Sequence, residues 1–335
     1  MGNYFCGNSS AGGWVGFNDP NHSGPHPNKS IGLSAQLPYG FDYDPDDEDP
    51  RNAGAFLASM KDPAGAIMHA QRAQGWYVNM FEIESNDPTK NEVAFKTWTD
   101  GDGFEHPVGG WQGGRGWQVG NVTEFNTPGS DYLSAGGWMI ENVWEALDTV
   151  NEWFFDSKES KLYMIPNVTG SAPPGADLEF VAVQLETLIS INGTMQSPVK
   201  DIVVQGITFR DAADITMQPW GVPSGGDWGL YRGGAIFIEG AENVTVQHNL
   251  LTRLDGNGVF VSGYTRHVTL NDNEMAWIAD NPMASWGYTN ENDGTDGQQP
   301  HYTSILRNYV HECVFVLFLC CFCTVSVPFF FYAVL

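Results

Sequence analysis

A repeat of about 24 residues, beginning near residue 199, constrains this chain more than any other feature. Three segments align: DIVVQGITFRDA from Asp201, NVTVQHNLLTRLD from Asn243 and HVTLNDNEMAWIAD from His267. Val244 matches Val268, Val246 matches Leu270 and Asn249 matches Asn273, each pair 24 apart. A second apolar stretch follows each segment: AIFIEG, VFVSGY and MASWGY. Their glycines, Gly240, Gly263 and Gly287, fall in one column. A further segment, TSILRNYVHE, places Asn308 35 residues after Asn273, one repeat plus an insertion of about 11 around ENDGTDGQQP.

A unit this short cannot bury its own apolar side chains, so it must stack on its neighbours. Stacked coils bring like residues over like at the spacing of a parallel ladder, about 4.8 Å. Valines then meet in the interior, asparagines bond from coil to coil at the turns, and glycine serves where the turn needs a positive φ. The expected fold is all-β, a parallel β-helix. A β-sandwich also uses short strands, but does not repeat the same residue types in register at 24.

Composition narrows the partners. With 15 basic and 40 acidic side chains the net charge is −25. Nucleic acid needs a basic surface and anionic lipid does too, so neither is an expected partner. Charged residues make up only 16% of the chain and glycine is abundant, which disfavours long amphipathic helices. Of the five cysteines, Cys313, Cys320, Cys321 and Cys323 crowd the end and Cys6 stands alone, so no disulfide framework is legible. The N-terminus MGNYFCGNSS shows no secretory signal. Acceptor motifs for N-glycosylation begin at Asn8, Asn21, Asn28, Asn121, Asn167, Asn192 and Asn243, where roughly three are expected by chance. This excess points to an extracellular or cell-surface protein. The acidic run Phe41–Pro50 lacks the glycine of a calcium loop and contains Pro45, so it reads as a solvated loop.

Three regions follow: an irregular Gly/Asn/Asp/Trp-rich stretch, 1–130; a β-helix region, 131–312, with regular coils from about 199; and an apolar tail, 313–335. No charge occurs from Cys313 to Leu335, and only Thr324, Ser326 and Pro328 interrupt apolar or cysteine side chains. By length the tail is a transmembrane candidate. The competing expectations are a single-pass anchor with membrane contact, translated non-coding sequence from a truncated gene, and a buried core segment.

Before the coils stands an ordered set: Glu141-Asn142-Val143, Glu145-Ala146-Leu147-Asp148, Asn151-Glu152-Trp153-Phe154-Phe155-Asp156, Leu162-Tyr163 and Pro166. This segment resembles one found in right-handed parallel β-helix (pectin lyase-like) proteins of the carbohydrate-active type, including the glycoside hydrolase family 141-like proteins. The resemblance covers roughly residues 60–312. It implies a right-handed β-helix and action on a polysaccharide or oligosaccharide. Such proteins carry more chain on both sides of the matched region, so the chain is expected to be a fragment.

Coils place equivalent side chains on one face. Four residues after the column Gly206, Asn249, Asn273 and Asn308 come Arg210, Arg253, Trp277 and Glu312. A structural column would repeat one residue type; this one does not. Asp211, Asp214, Asp255 and Asp280 lie next to it, another outward column holds Glu239, Ser262 and Trp286, and the insertion adds Asp293 and Asp296. Glycoside hydrolysis needs two carboxyl groups, one to protonate the leaving oxygen and one to attack or to activate water. Aromatic faces suit sugar rings and arginine can hold hydroxyls or carboxylates. The expected catalytic pair is Asp255 with Asp296, with Asp280 and Glu312 in reserve; Arg210, Arg253, Trp277, Trp286 and Glu239 would contact the sugar. Aspartate is also a common turn residue, and several will cluster by chance in so acidic a chain.

His69, His248, His267, His301 and His311 show no metal-ligand spacing, although His248, 24 before Asp272, is placed to pair with it. No nucleophile elbow or phosphate loop is present, and no cofactor or metal is expected. Three functions compete: a glycoside hydrolase-like enzyme, a polysaccharide lyase aided by calcium, and a non-catalytic glycan-binding β-helix.

Overall fold

The computed structural model describes residues 4–8, 23–28, 33–38, 40–46, 54–71, 78–99, 105–108, 137–167, 180–215, 217–218, 220–221, 230–288, 295–313 and 318–319. The chain divides into two compact units: residues 1–179 with 226–229, and residues 180–225 with 230–335.

The first unit is built on an antiparallel six-stranded sheet. Its order is Tyr4–Asn8, Gly137–Glu141, Ile67–Gln71, Val78–Asp87, Glu92–Phe95 and Gly40–Asp42. The region that reads as irregular from its turn signals thus supplies most of a sheet. Phe41, Phe81, Ile83, Phe95 and Ile140 fill its core, with the rings of Phe81 and Phe95 stacked 4.6 Å apart. The segment that carries the family resemblance forms a 3-10 turn, Trp144–Ala146, and a hairpin, Trp153–Asp156 with Lys161–Met164. The side chain of Asn142 ties the two together: its Oδ1 accepts from the Phe155 amide at 2.8 Å and its Nδ2 donates to the Phe155 carbonyl at 3.1 Å.

The second unit consists mainly of parallel strands in three runs. The first run comprises Ile189–Asn192, the opening residues of Ile236–Gln247 and of Val259–Asn271, Met283–Trp286, and Phe318–Leu319. The second comprises Val199–Gln205, the later parts of the same two long strands, and the short strands Pro300–His301 and Ser304–Leu306. The third comprises Thr208–Ala212, Leu250–Leu254, Glu274–Ile278 and Tyr309–His311. All pairs in the three runs are parallel, and their registers follow the repeat. Val244 pairs with Val268, Val246 with Leu270 and Leu251 with Met275, each offset by 24. The inward side chains of the three runs form one core that includes Ile238, Val246, Leu251, Leu270 and Ile278.

Asparagines bond from one repeat to the next, as the sequence suggests. Asn249 donates through Nδ2 to Asn273 Oδ1 at 3.0 Å, and Asn273 donates to Asn308 Oδ1 at 2.8 Å. Asn281 donates to Asn257 Oδ1 at 3.0 Å in a second ladder. Gly240, with φ +57°, stands at a bend where a Cβ would lie 2.1 Å from the Gly193 carbonyl carbon, so no other residue fits there.

The register corrects one sequence alignment. Thr208 pairs with Leu250, so Ile207, not Gly206, stands over Asn249. The Ile207 amide accordingly donates to Asn249 Oδ1 at 3.1 Å. Gly206 falls in the column of His248, Asp272 and Arg307, all with φ between 52° and 70°. Gly and Asn both suit turns, which is why the two strings align one residue out. Asp272 pairs in bidentate fashion with Arg307, both bonds 2.8 Å, and also interacts electrostatically with His248, its neighbour in the column.

Among the described residues no helix is long and apolar enough to cross a membrane. Of the apolar tail only Cys313 and Phe318–Leu319 are described. Cys313 packs against the core, and Phe318–Leu319 pairs in parallel with Ala284 and Ser285. The other expectations for the tail lie outside the described residues.

Candidate functional site

The mixed column has a backbone cause. Asp211, Arg253 and Trp277 occupy one position on three successive third-run strands, and Glu312 follows in the same column just past the fourth; all are left-handed, with φ between 51° and 62°. A left-handed residue inside a strand interrupts the in–out alternation, as a bulge does. Two consecutive side chains then point outward, as Thr252 and Arg253 do between the buried Leu251 and Leu254. Arg210 therefore stands beside Thr252, one residue before the column, and Asp211 takes the place the sequence assigned to it. Arg253 clamps the Asp211 carboxylate through Nε at 2.8 Å and Nη2 at 2.9 Å, and Arg210 Nε lies 3.3 Å from the same group. Trp277 is 57% exposed, with its indole open to a ligand.

Beyond this column the chain turns from the third run into the first, and here stand Asp255 and Asp280. The Gly258 amide donates to the Asn281 carbonyl at 2.8 Å, and the Val259 amide to that of Pro282 at 3.0 Å. Asp280 is thus level with Gly256, on the repeat next to that of Asp255. A ladder spacing of about 4.8 Å and a rise of about 3.3 Å put the two Cα atoms roughly 6 Å apart. Asp255 is exposed. Asp280 Oδ1 accepts from Asn281 Nδ2 at 2.7 Å, whereas its Oδ2 is buried and accepts no hydrogen bond. Burial pushes the Asp280 carboxyl up to about 7, so near neutrality it holds a proton about half the time.

The outer side of the first run leads away from this corner to the column Asn192, Glu239, Ser262 and Trp286, whose register matches the sequence expectation for the last three. Glu239 Oε2 accepts from Ser262 Oγ at 2.5 Å and from the Tyr288 hydroxyl at 2.9 Å. Arg232 lies over this group, 3.9 Å from the ring centroid of Trp286 and 4.3 Å from that of Tyr288. It donates to Ser262 Oγ and to the Trp286 carbonyl, both at 2.7 Å, and to the Gly287 carbonyl at 3.1 Å. Its neighbour Tyr231 donates to Glu186 Oε2 at 2.8 Å, and Gln218 donates to Glu186 Oε1 at 2.6 Å. Burial, then this bond to Glu186, push the Tyr231 hydroxyl up to about 12.

The structure therefore gathers Asp255, Asp280, Arg253, Trp277, Glu312 and Arg210 around one corner, and places Glu239 and Trp286 at the far end of the first run. Asp296 stands beyond that far end, in the insertion. Its Oδ1 accepts from the Gln298 amide at 2.9 Å and from Gln299 Nε2 at 2.8 Å, an aspartate turn. Asp255 and Asp296 thus flank opposite ends of the first run, whose four-residue strand Met283–Trp286 alone spans about 10–13 Å. Asp293 lies outside the described residues. Sequence reasoning missed Glu186, Tyr231, Arg232 and Tyr288. Glu186, Tyr231 and Arg232 belong to segments without a counterpart in the repeat, so no column pointed to them; Tyr288 matches Tyr264 in the repeat, and that pair was the available signal.

Among the described residues no group of three or more His, Cys, Asp or Glu side chains could hold a metal ion.

No family model and no curated protein matches the chain. A solved structure described as a glycoside hydrolase matches in fold, with a TM-score of 0.57 over 76% of this chain at 19% sequence identity. The chain spans 45% of that protein's length.

Proposed function

We propose that the second unit is a right-handed parallel β-helix that binds a sugar chain and hydrolyses it with the pair Asp255 and Asp280. The parallel runs repeating every 24 residues support the β-helix, and the rule that parallel crossovers are right-handed supports its hand. The fold likeness to a glycoside hydrolase makes a carbohydrate the first ligand to test.

The observation that carries the mechanism is the contrast between two carboxyls on neighbouring coils. Asp255 is exposed, whereas burial pushes the Asp280 carboxyl up to about 7. Two carboxyls in unlike environments, about 5–10 Å apart, are what acid-assisted glycoside cleavage requires. Asp280 protonates the leaving oxygen while Asp255 attacks the anomeric carbon or draws a proton from water. Trp277 offers a face to the apolar side of a sugar ring, and Arg253 and Glu312 bond its hydroxyls. Glu239 and Trp286 extend the surface along the first run, and Asp296 shapes the loop at its end. Exposed acceptor asparagines at Asn167, Asn192 and Asn243 support an extracellular or cell-surface setting.

The test is release of reducing ends from a panel of cell-wall polysaccharides by the full chain. Asp255→Asn and Asp280→Asn should each lower turnover by about 10²–10⁴-fold, the worth of one acid or base group, with circular dichroism unchanged. Variants that keep full activity would sink the pair. A wild-type chain that binds a polysaccharide but releases no ends would reduce the reading to a glycan-binding β-helix.

A further inference from the structure

The charges around the corner discriminate between sugar chains. Resting on the carbohydrate reading above, we infer that Asp211 is a specificity-determining residue and that the site takes an uncharged glycan and rejects polyuronates.

The argument starts from the cations. Along the first run and the adjoining end of the third run the described residues offer three: Arg210, Arg253 and Arg232. A uronate carboxylate needs a guanidinium whose paired N–H groups face the ligand. Arg253 spends Nε and Nη2 on Asp211, and Arg210 aims its Nε at the same carboxylate. Arg232 is held by Ser262, by two backbone carbonyls and between two aromatic rings. Each cation therefore has its partner within the protein. Asp211 is only 17% exposed while Arg210 and Arg253 are 50% and 56% exposed, so the carboxylate sits beneath two guanidiniums and cancels part of their field.

The remaining groups point the same way. Glu186, Glu239, Asp214, Asp255 and Glu312 are all acceptors when ionised. A neutral sugar presents hydroxyl donors to such a surface. A uronate presents its own carboxylate, and like charges repel, more strongly where water is scarce. The left-handed column makes the arrangement possible, because only a bulged strand turns Arg210 and Asp211 outward together.

The test is native gel electrophoresis of the full chain in gels cast with xylan, with mixed-linkage glucan or with polygalacturonate, the last with and without calcium. The wild type should be retarded by a neutral polysaccharide and should migrate in polygalacturonate as in an empty gel. Asp211→Asn keeps the shape and suits the left-handed conformation. It should acquire retardation in polygalacturonate, and adding Arg253→Gln should remove it. Retardation of the wild type in polygalacturonate would overturn the inference and leave the carbohydrate reading standing. So would an Asp211→Asn variant that folds and gains nothing. Retardation in none of the gels would overturn both.

Discussion

At the residue scale, Asp280 shows how burial raises the pKa of a turn aspartate. Its carboxyl titrates near 7, against an ordinary value of 3.8, because the charged form loses water on folding. The native state therefore binds this proton more tightly than the unfolded chain does. The resulting contribution to stability is full below about pH 3.8 and is lost as the pH rises through 7. Thermal melts of the wild type should show a falling Tm over that window. Asp280→Asn, which is neutral at every pH, should flatten this part of the profile and melt higher than the wild type at pH 8. A variant whose profile parallels the wild type would mean that Asp280 is not the titrating group.

At the element scale, the asparagine ladder and the bulged strands do different work. Asn273 is 2% exposed, donates to Asn308 and to the Val246 carbonyl, and accepts from the Asn249 amide and side chain. Its removal leaves buried polar groups unpaired, each costing about 1–3 kcal/mol. Asn273→Ala should lose about 3–5 kcal/mol in urea unfolding, and Asn308→Ala, at a less buried rung, should lose less. This ladder was legible in the sequence because its residues recur at 24. The bulges were not. A left-handed φ at His267, Arg253 or Trp277 carries no residue signature, since glycine and asparagine are the types that advertise it. The strictly alternating pattern of a strand is broken at each bulge, which is why the coils read as apolar runs with mixed columns between them.

At the scale of the whole molecule, each parallel strand of the second unit's runs pairs with strands of the neighbouring repeats, so stability depends on having neighbours on both sides. Val244, Val246, Leu251 and Val268 in the inner repeats have no exposed surface, whereas on the outer strand Ile202, opposite Val244, is partly exposed and Val204, opposite Val246, is 7% exposed. Amide hydrogen exchange should therefore be slowest over 236–278 and faster over 189–212 and 304–311. Uniform protection across these segments would show that the coils open as one body.

The sequence by itself determined which residues stack on which. Like must lie over like when short coils share one core, so the register of Val244 with Val268 and of Asn249 with Asn273 could be counted off the chain. It also set Arg253 level with Trp277, 24 residues apart. Only the tertiary structure decided how these groups behave. The proton on Asp280 depends on the atoms packed around it, the pairing of Arg253 with Asp211 depends on a bulge that moves the column by one residue, and Glu186 and Arg232 reach the site from segments with no period to betray them. Register is a property of spacing along the chain; protonation and pairing are properties of what surrounds a group in space.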